Sequence, residues 1–259
     1  MKRSWGPLIV TLLVLVFFYA PLVVLVVNSF NESRFGGTWE GFTWKWYEKL
    51  WSADEVWAAL VVTLKVAVSA TLAATVLGTL AAWVLRSYAT RLQGAHHGLV
   101  MLPLVVPDLL MGMALLALFV SVGMETGIVT IWIAHVTFCI SYVTMVVLGR
   151  LRDFDTSLID AARDLGASPW RVARKVVLPI LMPGIIAGAL LAFTLSIDDF
   201  VITFFVSGPG TTTLPLRIAS MMKTSRNLPI INALSSLLLC ITFIAVTLSY
   251  RLNRPASNS

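Results

Sequence analysis

Six apolar runs, each near the length a helix needs to cross a bilayer, leave this chain very few folds. They lie at about 8–28, 56–85, 98–122, 127–148, 177–206 and 228–250. A hydrocarbon core about 30 Å thick takes about 20 apolar residues in a helix, and inside it every backbone N–H and C=O must be bonded within the protein. A helix meets that demand within one segment. The sequence therefore predicts an all-α integral membrane protein with six transmembrane helices, a single transmembrane domain over residues 1–259. Composition agrees: 58% of residues are hydrophobic and 12% charged, against about 25% charged in soluble domains.

The first run, Leu8 to Val27, follows Lys2 and Arg3. Signal peptides have a shorter apolar core and a small-residue cleavage site. Asn28-Ser29-Phe30 is no such site, so the expectation is an uncleaved anchor. The polar stretch from Ser29 to Glu55 carries Trp39, Trp44, Trp46, Tyr47 and Trp51. Aromatics at this density suit the headgroup zone, and equally a small loop packed on its own aromatic core. Pro103, Pro107 and Asp108 interrupt the third run, and Asp198-Asp199 the fifth. After the break at Ser207 to Gly210, Thr211 to Arg226 reads as irregular.

The formal charge of +6 does not describe a nucleic-acid surface, because the basic residues stand at the ends of the apolar runs. With the N-terminus in the cytoplasm, that side collects Lys2, Arg3, Arg86, Arg91, Arg150, Arg152, Arg163, Arg171, Arg174, Lys175, Arg251 and Arg254. The other side collects Arg34, Lys45, Lys49, Lys65, Arg217, Lys223 and Arg226. The excess predicts both termini inside. Cys139 and Cys240 fall within apolar runs and read as packing residues. No Cys/His spacing or H-E-x-x-H pattern is present, so neither a metal site nor a cofactor is expected. Nor is there a Walker phosphate loop: any ATP hydrolysis must come from another subunit.

The polar insertion at 150–175 is the most specific feature. Asp155, Thr156 and Ser157 are helix N-cap types, and Leu158, Ala161, Ala162 and Leu165 recur at helical spacing. Gly166 can end a first short helix in the left-handed conformation. Ser168 with Pro169 can start a second, with Trp170, Ala173 and Val177 on one side and Arg171, Arg174 and Lys175 facing out. The expected product is a bent pair of short helices with one apolar face. That face could dock on a protein or lie on membrane lipid.

At these residues the chain resembles the permease subunits of ABC-type importers, whose cytoplasmic loop reads E-A-A-x3-G-x9-I-x-L-P. Asp160, Ala161, Ala162, Gly166, Val176, Leu178 and Pro179 fall on the pattern, with aspartate for glutamate and valine for isoleucine. The resemblance implies a type I importer permease fold and a coupling helix that docks on an ATPase, through Asp160, Ala161, Ala162, Gly166, Leu178 and Pro179. Within the family the chain looks most like spermidine/putrescine permeases. Asn28-Ser29-Phe30-Asn31, Ala134 to Cys139, Phe193 to Asp199, Ser207 to Gly210 and Thr213 to Leu216 carry that likeness.

Carboxylates within spans are costly and face a cavity or a partner. Asp108, Asp198 and Asp199 are thus candidates for a cationic substrate path, with Phe138, Tyr142, Phe193 and Phe200 as candidate cation–π faces. The plainer alternatives are that Asp108 caps a helix broken at Pro107 and that Asp198 and Asp199 are structural at the outer interface. His135 reads as a hydrogen-bonded packing residue. Gly184 and Gly188 allow close helix packing, either internally or on a partner.

The expectation is therefore a non-catalytic permease subunit in the bacterial inner membrane, importing spermidine, putrescine or a similar polyamine. By resemblance its partners are a second permease in a heterodimer, an ATPase dimer and a periplasmic polyamine-binding protein. Permeases for iron, thiamine or molybdate share the scaffold. A cation channel would not need the docking loop. An intramembrane aspartyl protease built on Asp108 and Asp198 would need a Gly-x-Gly-Asp motif, which the chain lacks.

Overall fold

The protein is described by a computed structural model covering residues 5–34, 38–88, 91–223 and 228–252. Lys2, Arg3, Arg226 and Arg254, counted above for orientation, lie outside the described residues, as does the side chain of Arg251. The ordered elements are helical: α1 (Gly6–Ser29), α2 (Lys45–Trp51), α3 (Asp54–Ser87), α4 (Gln93–Met101), α5 (Asp108–Ser121) and α6 (Ile128–Arg152). There follow α7 (Ser157–Asp164), α8 (Pro169–Val172), α9 (Leu178–Asp198), α10 (Val201–Val206), α11 (Leu214–Met222) and α12 (Leu228–Leu252). One isolated bridge, Asn31 to Phe42, is the only extended pairing among the described residues.

Among the described residues, four helices are long and apolar enough to cross a membrane: α1, α3, α6 and the 30-residue helix Pro169–Asp198. The third apolar run is not one straight helix. Gln93–Leu104 and Asp108–Ser121 meet at 108°, because Pro103 and Pro107 remove donors and Pro107 holds an extended ψ of 138°. In α12, the apolar stretch Leu228–Ile244 is shorter than a span. The region read as irregular, Thr211 to Arg226, contains α11.

Contacts divide the chain into two units, residues 1–57 with 217–259, and residues 58–216. In the first, α1 lies along α12, and its apolar side chains from Leu8 to Phe18 are exposed. The following loop is built on Asn31, which is 1% exposed. Its Oδ1 accepts the Ser33 and Glu40 backbone N–H groups at 3.2 and 3.0 Å, and its Nδ2 donates to the Thr38 carbonyl at 2.8 Å. Buried Trp46 donates its indole N–H to the Asn31 carbonyl at 2.7 Å. Phe30, Phe42, Trp44 and Tyr47 contact one another ring to ring, and Phe42 and Trp44 are exposed, as are Trp39 and Trp51. The aromatic stretch thus has a packed core and an exposed rim. Glu55 and Arg217 form an ion pair.

In the second unit α6 is the central helix, with one face buried from Thr130 to Leu151. Helices in lipid gain nothing from mutual hydrophobicity, so close backbone approach and hydrogen bonds must hold them. Both occur here. On α3, Ala67, Ala70, Ala74 and Ala82 have no exposed surface, and Gly78 leaves no room for a side chain against Val143 and the Ile140 carbonyl. From the other side, Gly188 of α9 meets the Val143 backbone and Gly184 meets Arg150. The Gly184/Gly188 pair therefore serves packing within the chain. A hydroxyl ties helices together: Ser141 donates to the Val100 carbonyl at 2.6 Å, while Thr144 donates to the Ile140 carbonyl of its own helix at 2.7 Å and lies 3.2 Å from the Gly78 carbonyl.

The two glycines facing Val143 should respond differently. A Cβ on Gly78 would stand 2.7 Å from Val143 Cβ, whereas one on Gly188 would stand 3.4 Å from Val143 Cα, an ordinary contact. Gly78→Ala is expected to lower stability by about 1–3 kcal/mol through overpacking, and Gly188→Ala by no more than about 0.5 kcal/mol. Thermal unfolding of the two variants in detergent checks the order; a larger loss at 188 contradicts this packing.

Candidate functional site

Two places in the second unit carry the chemistry the sequence singled out: the polar segment between α6 and α9, and the break between α9 and α10. The segment begins with Asp155, whose Oδ1 accepts the Ser157 backbone N–H at 2.9 Å. That bond, together with the Ser157 side chain, holds the Asp155 carboxyl below the ordinary carboxylate range. It is thus ionised at neutral pH, beside the positive end of α7. At the other end of α7, the Ala167 N–H donates to the Ala162 carbonyl at 3.0 Å and the Gly166 N–H to the Arg163 carbonyl at 2.8 Å. Gly166 has φ +75°. This is the Schellman closure, which needs a left-handed residue at that position. Ala162 and Ala167, brought together by it, pack against the core. The motif's second alanine and its glycine are therefore the two ends of one helix stop.

Ser168, with ψ 155°, precedes Pro169 in the first turn of α8. Here the structure departs from the expected bent pair. Residues Ala173–Val177 form a π turn, and α8 continues through it into α9. The second short helix is the beginning of the fifth apolar helix. The wider turn rotates what precedes it, so the buried residues are Val172 and Val177, and Trp170 is 74% exposed. Neither Trp170 nor Ala173 shares the buried side with Val177, where regular spacing predicted all three. Leu158, Leu165, Asp160, Ala161 and Gly166 are also exposed, as are Leu178 and Pro179. Asp160 and Arg163 stand 4.0 Å apart. Beside the segment a groove of about 950 Å³ is lined by Trp83, Arg86, Ile159, Asp160, Trp170 and Arg174, among others.

The break lies at Asp199, whose backbone is extended (φ −62°, ψ 122°). Its carboxylate restarts the helix: Oδ1 accepts the Ile202 N–H at 3.3 Å, and Oδ2 accepts the Thr203 N–H at 2.8 Å and hydroxyl at 2.6 Å. His135 of α6 lies 3.4 Å away and is bonded to Ser196 and Thr203. At the far end of α10, Thr130 donates to the Val206 carbonyl at 2.8 Å, and Gly208 closes against the Thr126 carbonyl.

The candidate path residues are thus placed unequally. Asp198 ends α9 and is exposed; Asp199 is held, with its side chain 9% exposed. Asp108 opens α5 after the 108° bend and is exposed. The helix-capping position is Pro107, and Asp108 makes no cap bond there. Phe138 is buried, its ring centroid 5.4 Å from that of His135. Tyr142 lies one turn further on and is half-buried, as is Phe193. Phe200 pairs with Phe204. The structure brings Asp199, His135 and Phe138 together. Sequence reasoning missed Ser196, Thr203 and Thr130; their only sequence signal was a hydroxyl inside an apolar run, flanking a break. Among the described residues no cluster of His, Cys, Asp and Glu could hold a metal.

Comparisons with known proteins place this architecture. The family model described as "Binding-protein-dependent transport system inner membrane component" matches residues 74–256. The spermidine/putrescine transport system permease protein PotC of Haemophilus influenzae is 40% identical over 238 residues, covering 92% of each chain. The putrescine transport system permease protein PotI of Escherichia coli K12 is 44% identical over 245 residues, covering 92% of this chain and 86% of the relative. A crystal structure of a bacterial ABC transporter involved in alginate import contains a chain of the same fold (TM-score 0.72, 15% identity, 98% of both chains). By sequence and by fold, this chain belongs to the inner-membrane components of binding-protein-dependent transport systems and has the all-helical fold of a type I ABC importer permease.

Proposed function

We propose that this chain is the non-catalytic permease subunit of an ATP-driven importer for polyamines such as spermidine and putrescine. The observation that carries this reading is identity of 40–44% to polyamine permeases over 92% of the chain. The partners are a second permease forming a heterodimer with this chain, a pair of cytoplasmic ATPase subunits and a polyamine-binding protein in the periplasm. Six spans are assigned: α1, α3, the bent pair of α4 and α5, α6, the Pro169–Asp198 helix with α10, and α12. Both termini and the α7–α8 segment are cytoplasmic, in keeping with the basic residues at those helix ends.

In this reading the α7 segment is the surface on which the ATPase closes. Its exposed face is small at Ala161 and Gly166, apolar at Leu158 and Leu165, and rigid because the Schellman closure fixes its end. The path for the polycation runs past Asp198 and Asp108, whose oxygens replace part of the ammonium hydration, with Tyr142 and Phe138 along α6 and Asp199 behind the break. Selectivity against neutral solutes follows from carboxylates facing an apolar-walled passage, where charge is poorly screened.

Reconstituted with its partner subunits in proteoliposomes, the chain is expected to support ATP-dependent uptake of labelled spermidine or putrescine. Uptake that persists without nucleotide, or that prefers an unrelated solute, rejects the reading. Asp198→Asn should reduce uptake about tenfold or more, the loss of one charge-assisted contact, while the ATPase still co-purifies. Unchanged uptake at subsaturating substrate removes Asp198 from the path.

The coupling surface is tested separately. Ala161→Arg sets a long side chain where close approach is required and should abolish co-purification of the ATPase without loss of folded permease. Gly166→Val forces a β-branched residue to φ +75°, at a cost of about 1–2 kcal/mol, and should weaken ATPase stimulation by loaded binding protein. Full ATPase retention in Ala161→Arg excludes this face as the docking surface.

A further inference from the structure

His135 is 1% exposed in the first third of α6, and its hydrogen bonds reach only residues that flank the break. Nδ1 lies 2.7 Å from Ser196 Oγ, on the last turn of α9, and Nε2 lies 2.9 Å from Thr203 Oγ1, on α10. Ser196 and Thr203 are themselves 2% and 0% exposed. The ring is therefore a strut between the two helical pieces on either side of Asp199.

The proton positions follow from counting. A hydroxyl has one proton to donate. The Thr203 hydroxyl donates its proton to a hydrogen bond with Asp199 Oδ2, because an oxygen–oxygen separation of 2.6 Å without a proton between would set two lone pairs against each other. Thr203 Oγ1 can then only accept from His135, so Nε2 carries the ring proton. Nδ1 pairs with Ser196 Oγ at 2.7 Å. Both ring nitrogens are thereby bonded, and Nε2–H also points toward the carboxylate 3.4 Å away. Asp199 ends with two backbone N–H groups, a hydroxyl and an imidazole N–H around it. In an apolar setting each of these bonds is expensive to leave unmade.

We infer that His135 is a positioning residue for transport: through Thr203 and Asp199 it fixes the angle at which α9 breaks, and so aims Asp198 into the path. Adjacent helical residues point about 100° apart. With Asp199 turned inward and held on α10, Asp198 on the last turn of α9 is left on the open side, where it is exposed. On this account Asp199 is an internal anchor and not a ligand for the cargo. The same bonds hold α10 at the start of its only six residues, too few to persist alone.

The aiming of Asp198 rests on the path reading given above; the strut does not. The test uses the complete transporter with its partner subunits, in a Cys240→Ala background because Cys240 is exposed and Cys139 buried. His135→Gln keeps a donor near the Nε2 position toward Thr203, whereas His135→Asn keeps only the Nδ1 side toward Ser196. Uptake is expected to fall about tenfold in His135→Asn, the worth of one buried hydrogen bond lost, and to recover to within about threefold in His135→Gln. A residue that merely filled space would rank the two by volume alone and would leave position 198 unmoved. The second readout is therefore the rate at which Asp198→Cys reacts with a cationic thiol reagent. That rate should shift about fivefold or more in His135→Asn and stay near its starting value in His135→Gln, a change of about 1 kcal/mol in the exposure equilibrium. Equal behaviour of the two variants in uptake and labelling overturns the inference. If spermidine fails to protect Asp198→Cys while His135 is intact, the path reading falls; the strut then stands or falls on the labelling difference alone.

Discussion

A helix interrupted among apolar neighbours frees backbone donors and acceptors that water cannot reach, and those groups must be bonded or the interruption cannot exist. The break at Asp199 exists because one carboxylate accepts the N–H groups of Ile202 and Thr203 and one hydroxyl, that of Thr130, donates to the Val206 carbonyl at the opposite end of α10. Take away these side chains and α10 has no reason to turn away from α9. The packing of α10 on α5, where Gly112 makes room for Phe205, presupposes that turn. So does the closure of Gly208 on the 124–127 loop.

The same logic explains where the chain puts its glycines. Around Val143, α3 and α9 approach α6 from two sides, and each offers a residue without a side chain. Dispersion between close backbones and a few hydroxyl bonds, such as Ser141 to the Val100 carbonyl, replace the hydrophobic force that a soluble bundle would use. A helix approached this closely from both sides does not bend between its neighbours.

How much could be read from the sequence depended on how local the physics was. The stop at Gly166 was legible, because a Schellman closure is decided within six residues and needs a left-handed position. Four of the six apolar runs were legible for the same reason: at α1, α3, α6 and Pro169–Asp198, length and composition suffice. The π turn at 173–177 was not, since nothing in Ala-Arg-Lys-Val-Val separates a π turn from an α turn, and with it went the side on which Trp170 lies. The bend before Asp108 was marked by two prolines, but its 108° depends on what each half packs against. The roles of Asp198 and Asp199 were not separable either. Their difference is made by His135, more than sixty residues earlier in the chain, and hydroxyls at 196 and 203 carry no sign of which partner they will meet.

Taken together, these features give the exposed segment a route into the membrane. The helix Pro169–Asp198 has 30 residues, a rod of about 45 Å at 1.5 Å per residue, and it runs without a gap from the π turn beside the segment to the residue before the break. On its other side the segment is joined to α6, the helix that carries His135. Both halves of the buried network, Asp199 at the end of the rod and His135 on α6, are thus tied to the same short stretch around α7. In the proposed transporter, a push on α7 reaches the break along two helices at once. Gly184 and Gly188 keep those helices in contact, but no long side chain at either position interlocks them. Small residues permit sliding where interdigitated ones would lock, so relative displacement of α6 and α9 is the motion this interface allows most cheaply. The His135–Thr203–Asp199 bonds, about 3 Å long and directional, are the ones such sliding would strain first, and Asp198 is the carboxylate whose position would change with them.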